Sequence, residues 1–304
     1  MTAYRFCRTD DMGRLVEAHN RCWLPHHPGE PPLTLPEFKG LVRERQLWCS
    51  SCLVAYEGQD PIGYLFGCKR ERETLLHRFA VHPDHLRHGH GRHLLTSISS
   101  KLAILGPPRL VVEAPEEAAA ALGLLRACGY AQEETLTDWV READLAPPTA
   151  QERPGDIFIP VSAAELQANR LLEDGSPLPP SSAAVPPPWE RTAATFLSMG
   201  DRLSGSALVR EERIVAAILY IGPVAGPPWE APPEGRILRL QAALPGDDGG
   251  ELLDRLVARQ VAAHPGRWIL PRGLPNEAGI ATLKRLGFEP GGRFLRMAAT
   301  ARPA

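Results

Sequence analysis

The sequence predicts an α/β chain of two units, each a mixed β-sheet with helices packed on it. Three observations carry this. The 304 residues exceed the ~100–200 of an ordinary domain. In each half, strands joined by a short turn are followed by strand–helix–strand–helix, the order of a mixed sheet with covering helices. The series of elements in the first half also returns, in the same order, in the second.

The first half opens with a strand over Ala3–Arg8. Asp10 or Asp11 then caps a helix running to about Trp23, and a second helix spans Leu35 to Gln46. The apolar runs Cys52–Tyr56 and Pro61–Cys68, joined by Glu57-Gly58-Gln59-Asp60, read as a hairpin. A strand over Leu75–Val81, a helix over Arg92–Leu105, a strand over Leu110–Glu113, a helix over Ala118–Ala127 and a closing strand over Leu136–Arg141 complete it. The proline-rich segment Ala146 to Ala150 punctuates the chain. The expected domains are 1–146 and 155–304, with 147–154 as linker. In the second half, strands are expected at Ile157–Val161, Gly205–Arg210, Ile214–Ile221, Ile237–Leu244, Trp268–Leu270 and Arg293–Ala298. Helices are expected at Ala163–Leu172, Glu190–Met199, Gly249–Ala263 and Asn276–Leu286.

Hydrophobic residues make up 43% and charged residues 23%, a soluble globular profile. The formal net charge of −2 calls for neither nucleic acid nor an anionic membrane as partner. No apolar run reaches the ~20 residues of a membrane helix, and Met1-Thr2-Ala3-Tyr4-Arg5-Phe6 lacks the apolar core of a secretory signal. The expectation is a cytoplasmic protein with reduced thiols. All six cysteines fall in the first half, and the isolated Cys49-x-x-Cys52 reads as thiols in or near a core rather than a metal site.

The most informative segment runs from Phe79 to Leu95: an apolar strand, a proline, a polar turn holding Leu86-Arg87-His88-Gly89-His90-Gly91, then a helix from Arg92. Glycine opens backbone conformations closed to other residues and lets a ligand approach the chain. The first amides of a helix lack intrahelical acceptors. Together they form an anion site suited to a diphosphate, and Arg87, Arg92 and the neighbouring histidines add positive potential. His82, His85, His88, His90 and His93 read as exposed side chains flanking the anion rather than metal ligands.

This arrangement resembles the acyl-CoA signature Q/R-x-x-G-x-G/A of the GNAT N-acetyltransferase superfamily. Aligned on Gly89 and Gly91, its first position falls on Leu86, a departure, with Arg87 next door. The resemblance implies acetyl-CoA as acyl donor, backbone pairing of Phe79, Ala80 and Val81 with the pantetheine arm, and an amine of a small molecule or peptide as acceptor. It extends to the second half. Asn276, Gly287 and Phe288 match a further block of the family, whose tyrosine acid, four residues before the glycine, is here Leu283. In the first half the same block reads Ala118, Leu125, Gly129 and Tyr130. The second half's phosphate turn, Gly246-Asp247-Asp248-Gly249-Gly250-Glu251, is four residues shorter and carries Asp247 and Asp248, which repel a diphosphate. The whole resembles a tandem GNAT protein with an intact first copy and a degenerate second.

Acyl transfer needs a proton acceptor and donors that polarise the thioester. His77, on the strand before the phosphate turn, and Glu113, at the end of the next strand, are the candidates. Each has a structural alternative: a hydrogen-bonded sheet residue for His77, a turn cap for Glu113. Ordered water is a third route for the proton. Loss of both tyrosines keeps open a protein that binds acyl-CoA without turnover.

Overall fold

The computed structural model describes residues 2–146, 153–172, 188–223, 234–242, 247–273 and 277–303. The chain packs into two compact units, one of Met1–Thr135 with Phe294–Ala304, the other of Leu136–Arg293.

The first unit begins with β1 (Thr2–Phe6) and α1 (Met12–Trp23). The buried residues of α1, Leu15, Ala18, His19 and Cys22, recur at three- and four-residue intervals and form one apolar stripe. Then comes α2 (Leu35–Glu44), started by a capping box in which Thr34 and Glu37 satisfy each other's backbone amides. The hairpin β2 (Leu53–Glu57) and β3 (Asp60–Lys69) turns at Gly58, whose φ of +62° suits glycine. There follow β4 (Glu73–Val81), α3 (His90–Leu105), β5 (Arg109–Pro115) and α4 (Ala119–Ala127). The helix α3 starts two residues before the expected Arg92.

The second unit contains the C-terminal part of β6 (Ala131–Arg141), then β7 (Ile157–Pro160), α5 (Ala163–Ala168), α6 (Ala193–Met199), β8 (Ser204–Arg210) and β9 (Arg213–Ile221). It continues with β10 (Glu234–Ala242), α7 (Asp247–Ala263), β11 (Arg267–Gly273), α8 (Glu277–Arg285) and the start of β12 (Glu289–Thr300). The helix α5 is shorter than expected because Arg170 adopts φ +58°, outside helical space. The expected helix over Glu190–Met199 is a 3₁₀ turn, then α6 capped by Thr192.

Strand order is β1-β2-β3-β4-β5 in the first unit and β7-β8-β9-β10-β11 in the second. Among the described residues each has one parallel pair, β4 with β5 and β10 with β11. The sixth positions are filled across chain order. Phe294–Thr300 of β12 pairs antiparallel with β5 in the first unit. Residues of β6 from Thr137 to Arg141 pair antiparallel with β11 in the second. The strand expected to close the first half therefore closes the second unit, and the last strand of the chain closes the first.

In the first unit one face of the sheet buries Leu76, Val112 and Met297 against α3 and α4 residues Leu94, Ile98, Leu122 and Leu125. In the second, Ile237, Leu240 and Trp268 pack on Leu252, Leu256 and Val257 of α7. The second unit also holds a buried ion group. Asp156, with a side chain 1% exposed, lies 2.7 Å from Arg210 Nε and 3.0 Å from Arg255 Nη1. Burial alone raises its carboxyl, but the two guanidiniums outweigh that and hold it below the ordinary value. A depressed native value means stability present above the unfolded-state value and lost as pH falls through the native one. Asp156→Ala is expected to destabilise the second unit by about 3–5 kcal/mol at pH 7. In urea titrations the gap from the unchanged chain should close below about pH 4.

Candidate functional site

Strands β4 and β5 pair only from Glu73–Leu75 to Arg109–Val111. Beyond that point β4 stays on β3 as far as Val81 but no longer pairs with β5, and the strands part. The gap opens into a cleft of about 790 Å³ within the first unit. It is reached by the α1 end (Trp23, His26, His27), the free edge of β4, the turn before α3, the end of β5, and the first turn of α4.

The edge of β4 is prepared for a ligand. His82 N–H donates to Ile62 C=O at 2.9 Å. Backbone groups alternate sides along a strand, so those of Ala80 also face β3, while Phe79 and Val81 face the cleft. His26 Nε2 lies 2.8 Å from Val81 O. A carbonyl only accepts, so that nitrogen is the protonated one. Opposite Phe66 and Gly67 the register slips by one residue, leaving His77 as the extra residue of a β-bulge. Bulges re-aim side chains beside active sites, and His77 lines the cleft.

At the other end the chain turns through Arg87 (φ +66°) and Gly89 (φ +86°). Gly89 caps α3, and the first intrahelical bond runs from His93 N–H to Gly89 C=O. The amides of His90, Gly91 and Arg92 precede it and have no partner within the helix. The two glycines serve different ends. A Cβ at Gly89 would meet open space, so its need is conformational; a Cβ at Gly91 would stand 2.8 Å from Leu124 Cδ2. Because that methyl is the end of a movable side chain, alanine at 91 is tolerable, as the G/A of the signature allows.

Of the residues expected to hold the cofactor, Phe79, Ala80, Val81, Leu86, Arg87, Gly89, His90, Gly91 and Arg92 line this cleft, and His88 stands beside it. His77 and Glu113 line it too. Its ionisable lining is cationic on balance: three arginines (Arg78, Arg87, Arg92) and five histidines against Glu113 and Glu117. Glu113 sits opposite Arg296 in the β5–β12 register. Leu125 is fully buried in the core, and Leu124 is the cleft-facing neighbour. Leu283 is likewise buried, 2% exposed.

Sequence reasoning missed Trp23, His26, His27 and Arg78. Arg78 lies 5.1 Å over the Trp23 ring and 3.6 Å from Glu30, which accepts from Trp23 Nε1 at 3.0 Å. Trp23 and His27 stack with centroids 4.0 Å apart. The density of aromatic and histidine residues from Trp23 to His27 was the available signal.

Residues 48–132 match the family model described as an acetyltransferase (GNAT) domain. Over the whole chain, a tandem GNAT protein from the clavulanic acid biosynthesis pathway superposes with a TM-score of 0.69 at 15% identity, covering 100% of this chain and 99% of that one. The chain has the tandem GNAT fold. A GCN5-related N-acetyltransferase from Sphaerobacter thermophilus gives 0.67 at 17% identity, over 100% of this chain and 96% of its own. An acetyltransferase-like structure from Pyrococcus horikoshii gives 0.62 at 12%, over 99% and 90%. No curated protein matches in sequence. The matched GNAT segment carries β4, the turn, α3 and β5, and so nearly all of the cleft.

In the second unit, among the described residues, β10 and β11 also pair at three positions, Glu234–Arg236 with Arg267–Ile269. The turn that follows β10 through Gly246 lies outside the described residues, as does Asn276. Gly287 has φ +79° and Phe288 is fully buried. All six cysteines are unpaired thiols. Burial pushes Cys7, Cys22 and Cys68 up to about 12. Among the described residues no group of three or more His, Cys, Asp or Glu is placed to hold a metal, and no helix is long and apolar enough to cross a membrane.

Proposed function

We propose that the chain is an N-acetyltransferase whose first unit binds acetyl-CoA in the β4–β5 cleft and passes the acetyl group to an amine. The observation that carries this reading is the junction, in one cleft, of a free β4 edge and an anion-binding helix start. The cleft-facing backbone groups of Phe79 and the N–H of Val81, whose C=O already accepts from His26, would pair with the pantetheine arm. The amides from Arg87 to Arg92 would cradle the diphosphate. The amine enters from the side of Trp23, His27 and Arg78. Its nitrogen lone pair forms the amide bond as the C–S bond breaks and CoA leaves as thiolate, and the surplus amine proton passes to His77 or Glu113, directly or through water.

The domain segments 1–146 and 155–304 are, on this reading, two copies of one GNAT unit that have traded closing strands. The second copy, with two aspartates at its shortened turn, does not hold the cofactor. The acceptor is a small molecule or a peptide, and the protein works in the cytoplasm.

A second reading is favoured by one observation. The family's tyrosine position is occupied by buried Leu125, so no acid reaches the sulfur from there. The chain would then bind acyl-CoA as a sensor or scaffold. Titration with acetyl-CoA, followed by a thiol-release assay across an amine panel, separates the two. The enzyme reading predicts one acetyl-CoA per chain and CoA release that rises severalfold with a suitable amine. Tight binding with release unchanged by every amine selects the sensor, and no binding refutes both.

A further inference from the structure

We propose that cofactor binding is proton-linked: His90 takes up a proton as the diphosphate arrives, and Tyr4 orients His90 to meet it. The inference rests on the cofactor reading above and adds a pH dependence and a positioning residue to it.

His90 is the first residue of α3 and lines the cleft. Its Nδ1 is 2.6 Å from the Tyr4 hydroxyl on β1. That contact leaves Nε2 as the nitrogen available to a ligand. When the ring is neutral, the tyrosine O–H donates to Nδ1 and the proton sits on Nε2. When it is charged, Nδ1–H donates to the hydroxyl and Nε2 keeps its hydrogen. The Tyr4 bond thus survives titration, and a donor faces the cleft in both states. The Tyr4 ring also packs on His93 at 3.7 Å between centroids, so the tyrosine is held from two sides.

The rings of His85 and His88 stand 6.2 Å from that of His90. Other charged or titratable groups around them are Glu57 of β2, 3.9 Å from His85; Asp84, 3.6 Å from His82; Arg87 on the turn; and Arg92 and His93 on α3. Glu117, ahead of α4, and His26 and His27, after α1, line the same cleft. In the ligand-free site burial first, then His85 and His88, hold His90 below its ordinary value. A diphosphate adds two negative charges beside them and reverses the balance. By reciprocity, whatever favours protonation on binding makes protonation favour binding.

The probe is dephospho-CoA, which lacks the 3′-phosphate that itself titrates near neutral pH. Calorimetry on the intact chain is expected to show affinity rising about fivefold from pH 8 to pH 6, approaching the tenfold limit for one group shifted by one unit. Binding heats at pH 6.5 should differ between buffers of unlike ionisation enthalpy, reporting proton uptake. His90→Gln should remove most of the pH slope, and Tyr4→Phe should weaken binding severalfold, with circular dichroism confirming each fold. Affinity that is flat or falls on acidification, buffer-independent heats, or an unchanged slope in His90→Gln overturns the proposal. No binding of dephospho-CoA at any pH, in a chain that also fails to bind acetyl-CoA, overturns the cofactor reading itself.

Discussion

Glutamate in place of Gly89 is expected to weaken acetyl-CoA binding by about 100-fold, on the order of 3 kcal/mol, and to leave the chain folded. The reasoning is local. Gly89 holds φ +86° with nothing within 4 Å of where a Cβ would stand. A Cβ there meets no atom and incurs the left-handed strain of about 1–2 kcal/mol. Its carboxylate then lies at the positive end of α3, an attraction that offsets part of the strain. That attraction is also the one offered to the diphosphate, so the new charge occupies the site and repels the ligand. Gly91 is the poorer place for the experiment, because a glutamate there would have to displace Leu124. Calorimetry gives the affinity, and thermal melting shows the retained fold. Unchanged affinity in a folded Gly89→Glu chain contradicts the assignment of the turn.

Arg296→Leu is expected to cost the first unit about 3–5 kcal/mol of stability. The Arg296 side chain is 1% exposed and lies 3.7 Å from Glu73 and 3.9 Å from Glu133. Arg109 bridges the same two carboxylates, at 3.2 Å to Glu73 and 2.6 Å to Glu133. Two guanidiniums thus balance two carboxylates, and removing one leaves a buried negative excess. Since β12 lies against β5 with Arg296 opposite Glu113, the loss is expected to disturb the cleft as well. A urea titration followed by fluorescence should show a lower midpoint. A midpoint within error of the unchanged chain would show that the network is not holding the C-terminal strand.

Much of the fold was legible because its signals are local. The β2–β3 hairpin follows from an apolar run broken at Gly58, and α3 from the apolar spacing of Leu94, Leu95, Ile98 and Leu102. What stayed hidden depends on partners distant in sequence. Nothing in Leu136–Arg141 says that it pairs with Arg267–Gly273, and nothing in Phe294–Thr300 names Arg109–Pro115 as its neighbour. Both are apolar strands that satisfy either sheet. The one-residue slip at His77 is equally silent, because a bulge is set by the register of β3 on β4. The turn from Arg87 to Gly91 was readable since glycine spacing and a helix start lie side by side in the chain. The far wall of the cleft was not, because Trp23, His26 and His27 come more than fifty residues before the end of β4. Buried Leu125 shows the reverse limit: its identity was plain, but only the structure shows that Leu124 is the residue turned to the cleft.

The most direct test is a crystal structure of the chain grown with acetyl-CoA. The account predicts one ligand per chain, its diphosphate against the amides between Arg87 and Arg92 and its pantetheine alongside Phe79 and Val81. A ligand seated in the second unit, or one whose diphosphate lies away from the start of α3, would contradict it.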